Sequence, residues 1–303
     1  AASAPATPAE VFSVPIGTDT AKKLTNLNEE YPLEAIGTTE LIVYESHDGL
    51  KMEGFLVKPV GFQEGERYPL LVIVHGGPSG VFSSAFTPRR GAYPVHAFAE
   101  QGYLVFMPNP RGSGGFGYKM RRSNFKDWGY GDYKDIMAGV DHLIEKGLAD
   151  ADRMGVMGWS YGGFMTSWTV TQTSRFKAAS VGAAVTNPYS FYGLTDIPDF
   201  MAAYFGGRPW EKTTDYLRHA AVHHAGNATT PTLIQHGAED IRVPLAQGKA
   251  FYRALKKNDV HVEMVIYPRT PHGLREPKLI RHALEGNLTW FDKWVRSAES
   301  TTN

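Results

Sequence analysis

The sequence predicts an α/β fold built on a mostly parallel, doubly wound sheet with an antiparallel hairpin at its N-terminal side. Three observations carry this. Six apolar runs of strand length recur from Leu70 onward, helical segments alternate with them, and glycine-rich turns follow several of the runs. Strands buried on both faces read as continuous apolar runs, and their alternation with helices implies right-handed crossovers that cover both sides of the sheet.

The elements follow in order. Leu41–Glu45 and Met52–Lys58 are extended runs separated by His47-Asp48-Gly49, a hairpin turn. Leu70–Val74, Tyr103–Met107, Met154–Met157, Ala178–Ala184, Thr232–Gln235 and Val262–Tyr267 are the six strands, each expected to be buried on both faces. Tyr93–Gln101, Asp132–Lys146, Ser160–Thr171, Leu245–Lys257 and Pro277–Val295 are the helices. In the second of them Asp132, Ile136, Val140, Leu143 and Ile144 share a helical spacing, and Gly147 is placed to stop it. The stretch Thr186–Arg218 breaks the alternation. It is rich in aromatic residues (Tyr189, Phe191, Tyr192, Phe200, Tyr204, Phe205, Trp210) and reads as an insertion over the carboxyl edge of the sheet, where open α/β sheets bind ligands. Ahead of the sheet, residues 11–30 read as a short strand and turn. The Ala/Pro/Thr-rich lead Ala1–Pro8 reads either as a linker or as a terminus left by a removed signal peptide, and the compartment stays open.

Composition narrows the function. The chain has 303 residues, 31 Lys and Arg against 31 Asp and Glu, and no cysteine. That describes a globular, soluble chain with ample core. The balanced charge argues against a nucleic-acid partner, and the longest apolar runs are too short to span a membrane. Without cysteine there is no disulfide framework, thiolate nucleophile or cysteine-based metal site; no metal or other cofactor is expected. Glycine is the compositional signal, with 32 residues that fall in clusters.

The clusters point to chemistry. Gly158-Trp159-Ser160-Tyr161-Gly162-Gly163 follows an apolar strand and precedes a helix, the setting of a Gly-x-Ser-x-Gly nucleophile elbow and hence of an α/β-hydrolase fold. A serine hydroxyl needs a base, and in this architecture the acid and then the histidine follow in chain order. Asp240 follows the strand Thr232–Gln235, and His272 follows Val262–Tyr267, so all three reach the same sheet edge. Glu239 competes with Asp240 as the acid. Among the other histidines, His223-His224 reads as a solvated pair, His75 and His236 as structural residues at strand ends, and His261 and His282 as surface or packing residues. Two backbone N–H groups should stabilise the oxyanion. One is that of Tyr161, and the other comes from the loop His75-Gly76-Gly77-Pro78.

With these residues in view, the sequence resembles the prolyl oligopeptidase family of serine peptidases, in its acylaminoacyl-peptidase and dipeptidyl-peptidase branch. The matching motifs are His75-Gly76-Gly77-Pro78, Asn109-Pro110-Arg111-Gly112-Ser113, Trp128-Gly129, Gly158 to Gly163, Thr230-Pro231, Asp240-Ile241-Arg242-Val243-Pro244 and His272-Gly273, spread from about Leu41 to Trp294. The resemblance implies Ser160, Asp240 and His272 as a catalytic triad and Gly77 and Tyr161 as the oxyanion hole. It also implies an apolar specificity pocket near Tyr161, Val185, Phe191 and Val243, with Arg242 close to a carbonyl on the acyl side of the substrate. Family members carry a β-propeller before this domain. Here Val11–Glu30, with Thr25-Asn26-Leu27-Asn28, resembles the end of a last blade, giving an extension over residues 1–35 and a catalytic domain over 36–303. Where the family has Ser-Pro, this chain has Ala220-Ala221. The expected reaction is cleavage of short peptides through an acyl-enzyme. A carboxylesterase with the same triad and a non-catalytic binding module are the rivals. Oligomeric state is not readable from the sequence.

Overall fold

The computed structural model of the chain describes residues 1–86 and 91–296, so residues 87–90 and 297–303 of the expected domain lie outside the described residues. One strand shows how the sheet finds its two cores. In Tyr68–Val74, Leu70, Val72 and Val74 face one apolar cluster while Leu71 and Ile73 face another. Successive side chains of a strand point to opposite faces, so an unbroken apolar run must be covered on both.

The eight strands are β1 (Thr39–Glu45), β2 (Lys51–Val57), β3 (Tyr68–Val74), β4 (Leu104–Asn109), β5 (Ala149–Trp159), β6 (Ala178–Gly182), β7 (Thr232–Gly237) and β8 (Val262–Tyr267). They lie in the order β1-β2-β4-β3-β5-β6-β7-β8. The pairs from β4 through β3, β5, β6 and β7 to β8 are parallel, and β1 and β2 are antiparallel. Register places Val74 opposite Gly158, Trp159 opposite Gly182, and Gly237 opposite Tyr267. The carboxyl ends of the central strands therefore finish level with one another. β8 departs from expectation. It is an edge strand with only partial burial, and Ile266 is exposed.

Helices cover both faces. Helix α1 (Val95–Glu100) lies on the face of Leu71 and Ile73, and α2 (Gly117–Arg122) is a short segment the sequence pattern did not suggest. Helices α3 (Gly131–Glu145) and α4 (Tyr161–Gln172) pack on the face of Val72. The aromatic insertion folds as three short helices, α5 (Pro188–Leu194), α6 (Pro198–Phe205) and α7 (Thr213–Arg218). Prolines open the first two, and the Asn187 carboxamide accepts from the Tyr189 and Ser190 N–H groups at the start of α5. Helix α8 (Ala246–Lys257) joins the α3 face, and α9 (Pro277–Phe291) joins the α1 face. α9 stops short of the expected Val295 and continues as one π turn, Asp292–Arg296.

The N-terminal lead is not an unstructured linker. Ala2–Ala4 pairs with Thr7–Glu10, and Phe12–Ser13 pairs with Lys22–Lys23, both antiparallel. Among the described residues no helix is long and apolar enough to cross a membrane.

Candidate active site

Sterics at the end of β5 dictate the elbow. Ser160 has φ 63° and ψ −119°, a region that costs a serine ~1–3 kcal/mol and persists only where its surroundings enforce it. They do so through close backbone approach. A Cβ on Gly158 would lie 2.4 Å from the Gly162 carbonyl oxygen, and one on Gly162 would lie 2.0 Å from that of Val74. The Ser160 N–H donates to Gly182 O at 2.9 Å, and Phe164 N–H donates to Ser160 O at 2.9 Å. The serine thus stands at the N-terminus of the buried helix α4, whose first N–H groups, that of Tyr161 among them, have no intrahelical acceptor.

The loops after β7 and β8 bring the other two residues to it. His272 Nε2 lies 2.9 Å from Ser160 Oγ, and His272 Nδ1 lies 2.8 Å from Asp240 Oδ2. Asp240 is buried, and its Oδ1 accepts the N–H groups of Arg242 (3.0 Å) and Val243 (2.8 Å), which leaves Oδ2 for the imidazole. Glu239, the competing acid, is exposed; its N–H donates to Thr270 O. The backbone of His272 is fixed by a residue that pattern reading did not single out. The Trp159 indole N–H donates to His272 O at 2.7 Å.

The remaining histidines mostly serve the scaffold. His236 is fully buried, lies 2.7 Å by Nε2 from Val243 O, and is pushed down in pKa by burial. His75 is buried between Gly76 O and Ser113 Oγ. His261 lies against the Trp290 and Trp294 rings and His282 against Tyr267. The solvated pair needs correcting: His224 is half-buried with its ring edge-on to Trp168, whereas His223 is exposed.

On one side of Ser160 lies a cavity of about 450 Å³. Gly77, Tyr161, Val185, Phe191, Arg242 and Val243 all line it, joined by Trp128 and Phe200. Gly77 has φ +132°, and a Cβ there would come 2.3 Å from Ser79 N. The insertion builds the cavity wall. Phe200 and Phe205 pack against Trp128, which packs edge-on against Tyr161 at 4.8 Å. Arg242 lies at the cavity and is already paired. Its guanidinium is engaged by both Asp196 oxygens, at 2.6 and 3.1 Å, and holds that carboxyl below the usual range. Beneath the cavity the Tyr161 hydroxyl donates to Asp132 and accepts from Asn124 Nδ2 at 3.3 Å. Burial pushes the Asp132 carboxyl up to about 7.

Comparison with known proteins follows the same lines. The model of the prolyl oligopeptidase family matches residues 92–298. The uncharacterized peptidase YuxL of Bacillus subtilis is 35% identical over 295 residues, covering 95% of this chain and 44% of that protein. The acylamino-acid-releasing enzyme of Arabidopsis thaliana is 34% identical over 243 residues, covering 77% of this chain and 31% of that one. Among solved structures, an acylaminoacyl peptidase of Pyrococcus horikoshii superposes with a TM-score of 0.87 at 27% identity, over 99% of this chain and 48% of that one. The chain thus spans less than half the length of these relatives. A family match over residues 92–298, relatives above 30% identity and a shared fold lead to one conclusion: the chain belongs to the prolyl oligopeptidase family of serine peptidases.

Proposed function

We propose that the protein cleaves short peptides through a covalent acyl-enzyme, with Ser160 as nucleophile, His272 as general base and acid, and Asp240 as the residue that orients the imidazole. The observation that carries this reading is the continuous chain from Ser160 Oγ through both ring nitrogens of His272 to Asp240 Oδ2, at 2.9 and 2.8 Å. With Asp240 accepting from Nδ1–H, Nε2 is left as the acceptor facing the hydroxyl. As Oγ attacks the carbonyl carbon, His272 takes its proton. The backbone N–H groups of Gly77 and Tyr161 receive the developing oxyanion, and loss of one such donor typically costs about 3–4 kcal/mol. His272 then gives the proton to the leaving nitrogen, and water, deprotonated by the same imidazole, releases the acid and restores Ser160.

The cavity beside Tyr161 is the pocket for the acyl residue. Val185, Phe191, Val243, Trp128 and Phe200 give it an apolar, aromatic wall, suited to an apolar side chain. A solved acylaminoacyl peptidase in complex with Z-Gly-Gly-Phe-chloromethyl ketone, similar to this chain at 27% identity and a TM-score of 0.87, supports an aromatic residue there. Asp196 engages the Arg242 guanidinium at the rim, so contact with a substrate carbonyl falls to whichever N–H donors that ion pair leaves open.

The test uses peptide anilides and aryl esters that share one acyl group ending in phenylalanine. Turnover of both, lost together in Ser160→Ala, is expected. Turnover of the esters alone would make the protein a carboxylesterase with the same triad.

A further inference from the structure

A second cavity, of about 570 Å³, opens on the other side of Ser160, and nothing in the reaction above uses it. It shares Ser160 and His272 with the acyl pocket, but its other walls differ. It runs along Trp159, Gly273 and Leu274 and under the segment from Gly80 to Phe82, away from Tyr161 and Val243. We infer that this cavity receives the leaving-group residue of the substrate and favours an aromatic or large aliphatic side chain at that position. This rests on Ser160 being the nucleophile.

Geometry sets the side. His272 borders both cavities, but Gly77 and Tyr161, whose N–H groups face the oxyanion, line the acyl pocket, whereas this cavity continues from the imidazole that protonates the leaving nitrogen to Gly273 and Leu274. Its walls are held in place before any substrate arrives. Asn109, almost wholly buried, grips the Phe82 backbone from both sides: it accepts Phe82 N–H at 2.8 Å and donates to Phe82 O at 3.0 Å. The Phe82 ring meets His75 edge-on at 5.4 Å, and His75 Nε2 lies 2.9 Å from Ser113 Oγ. The motif Asn109–Ser113 thus braces this side of the site. Trp159 forms a wall and, through its bond to His272 O, fixes the catalytic loop. The volume lies within the range of small-molecule sites, and rigid walls reduce the entropy lost on binding.

Chemistry sets the selectivity. Val81, Phe82, Met107, Trp159 and Leu274 present apolar surface to the cavity. A large apolar leaving residue would withdraw its surface from water against these side chains, which glycine cannot do.

Capture of the acyl-enzyme by added amines reads this side alone. An aryl ester acylates Ser160 and its phenol departs. The nitrogen of an added amine then attacks the ester carbonyl, the bond from carbon to Oγ breaks, and His272 carries the amine proton to Oγ. Phenylalaninamide and glycinamide compete with water for one acyl-enzyme, so the capture ratio is independent of how fast that acyl-enzyme formed. We expect phenylalaninamide to be captured at least about tenfold better than glycinamide. Val81→Trp, at an exposed position on the rim, should bring the ratio to glycinamide within about twofold by filling the cavity. Phe82→Ala, which removes a wall, should lower the ratio as well. An acyl-enzyme that takes neither amine, or both equally, overturns the inference, as does a wild-type preference untouched by both variants. Failure of the ester to acylate Ser160, read by intact mass, would instead overturn the nucleophile assignment.

Discussion

Two carboxylates in this molecule are caged in the same way and do different things. Asp240, at the carboxyl edge of the sheet, accepts two backbone N–H groups on Oδ1 and meets His272 with Oδ2. Glu10, in the N-terminal extension, accepts the Thr25 hydroxyl, the N–H groups of Leu27 (3.1 Å) and Asn28 (3.2 Å), and the Asn28 carboxamide (3.2 Å). The Asp240 turn stands on β7 and β8, above a continuous apolar core, and keeps one oxygen for the His272 imidazole. The Glu10 ring spends both oxygens inside its own segment, where Val14, Ile16, Leu24 and Leu27 stay exposed. A polar ring on a packed core makes a rigid site. The same ring without a core makes a local structure held by one charge, and its stability follows that charge.

The largest test of this contrast is Asp240→Asn. The cage geometry can survive, but the amide no longer selects the required tautomer, so kcat on an aryl ester should fall by about 10⁴. A loss of tenfold or less would show that Asp240 does not orient His272.

Next comes Asp132, a buried carboxyl whose partners, Tyr161 and the Tyr133 N–H, fall short of compensating its burial. Its folded pKa is about 7 against an ordinary value of 3.8. Between these values the native state keeps a proton that the unfolded chain has released. Stability from this group is therefore fully present below the ordinary value and is withdrawn as pH rises toward 7, by an amount on the order of a few kcal/mol. Urea unfolding at several pH values should show Asp132→Asn with a flatter profile than wild type from pH 4 to pH 7. Parallel profiles would contradict the assignment.

Glu10→Gln should have the smallest and most local effect. Hydrogen bonds, that of the Thr25 hydroxyl first, hold the Glu10 carboxyl down at about 2 against an ordinary 4.5. The ionised form stabilises the extension above the ordinary value, and that contribution is lost as pH falls from there toward 2. Hydrogen exchange should show residues 1–30 losing protection at neutral pH in Glu10→Gln, with ester turnover unchanged. Protection equal to wild type would mean that the extension is held by something else.

What was legible in the sequence follows from which atoms do the work. The elbow could be read because backbone approaches near 2 Å exclude any side chain at Gly158 and Gly162 and so leave glycines in the sequence. The placement of Asp240 and His272 beside Ser160 could be read from their order and their place after strands. The indole of Trp159 on His272 O, the grip of Asn109 on Phe82 and the Arg242 and Val243 amides on Asp240 were not legible as contacts. A bond to a backbone atom places no demand on the partner's side chain. The three short helices in Thr186–Arg218 escaped because their aromatic residues face Trp128 and one another and leave no amphipathic stripe. The exposure of β8 escaped for a related reason: an edge strand with an apolar sequence carries the same local pattern as a central one.

The central claim is that Ser160 is the one activated nucleophile of the chain. Fluorophosphonate labelling followed by intact-mass and peptide mapping tests it most directly, since fluoride leaves without engaging either cavity. A single adduct on Ser160, absent in Ser160→Ala and strongly slowed in His272→Ala, is the predicted result. No adduct on the folded protein, or one on another residue at a similar rate, would contradict the account.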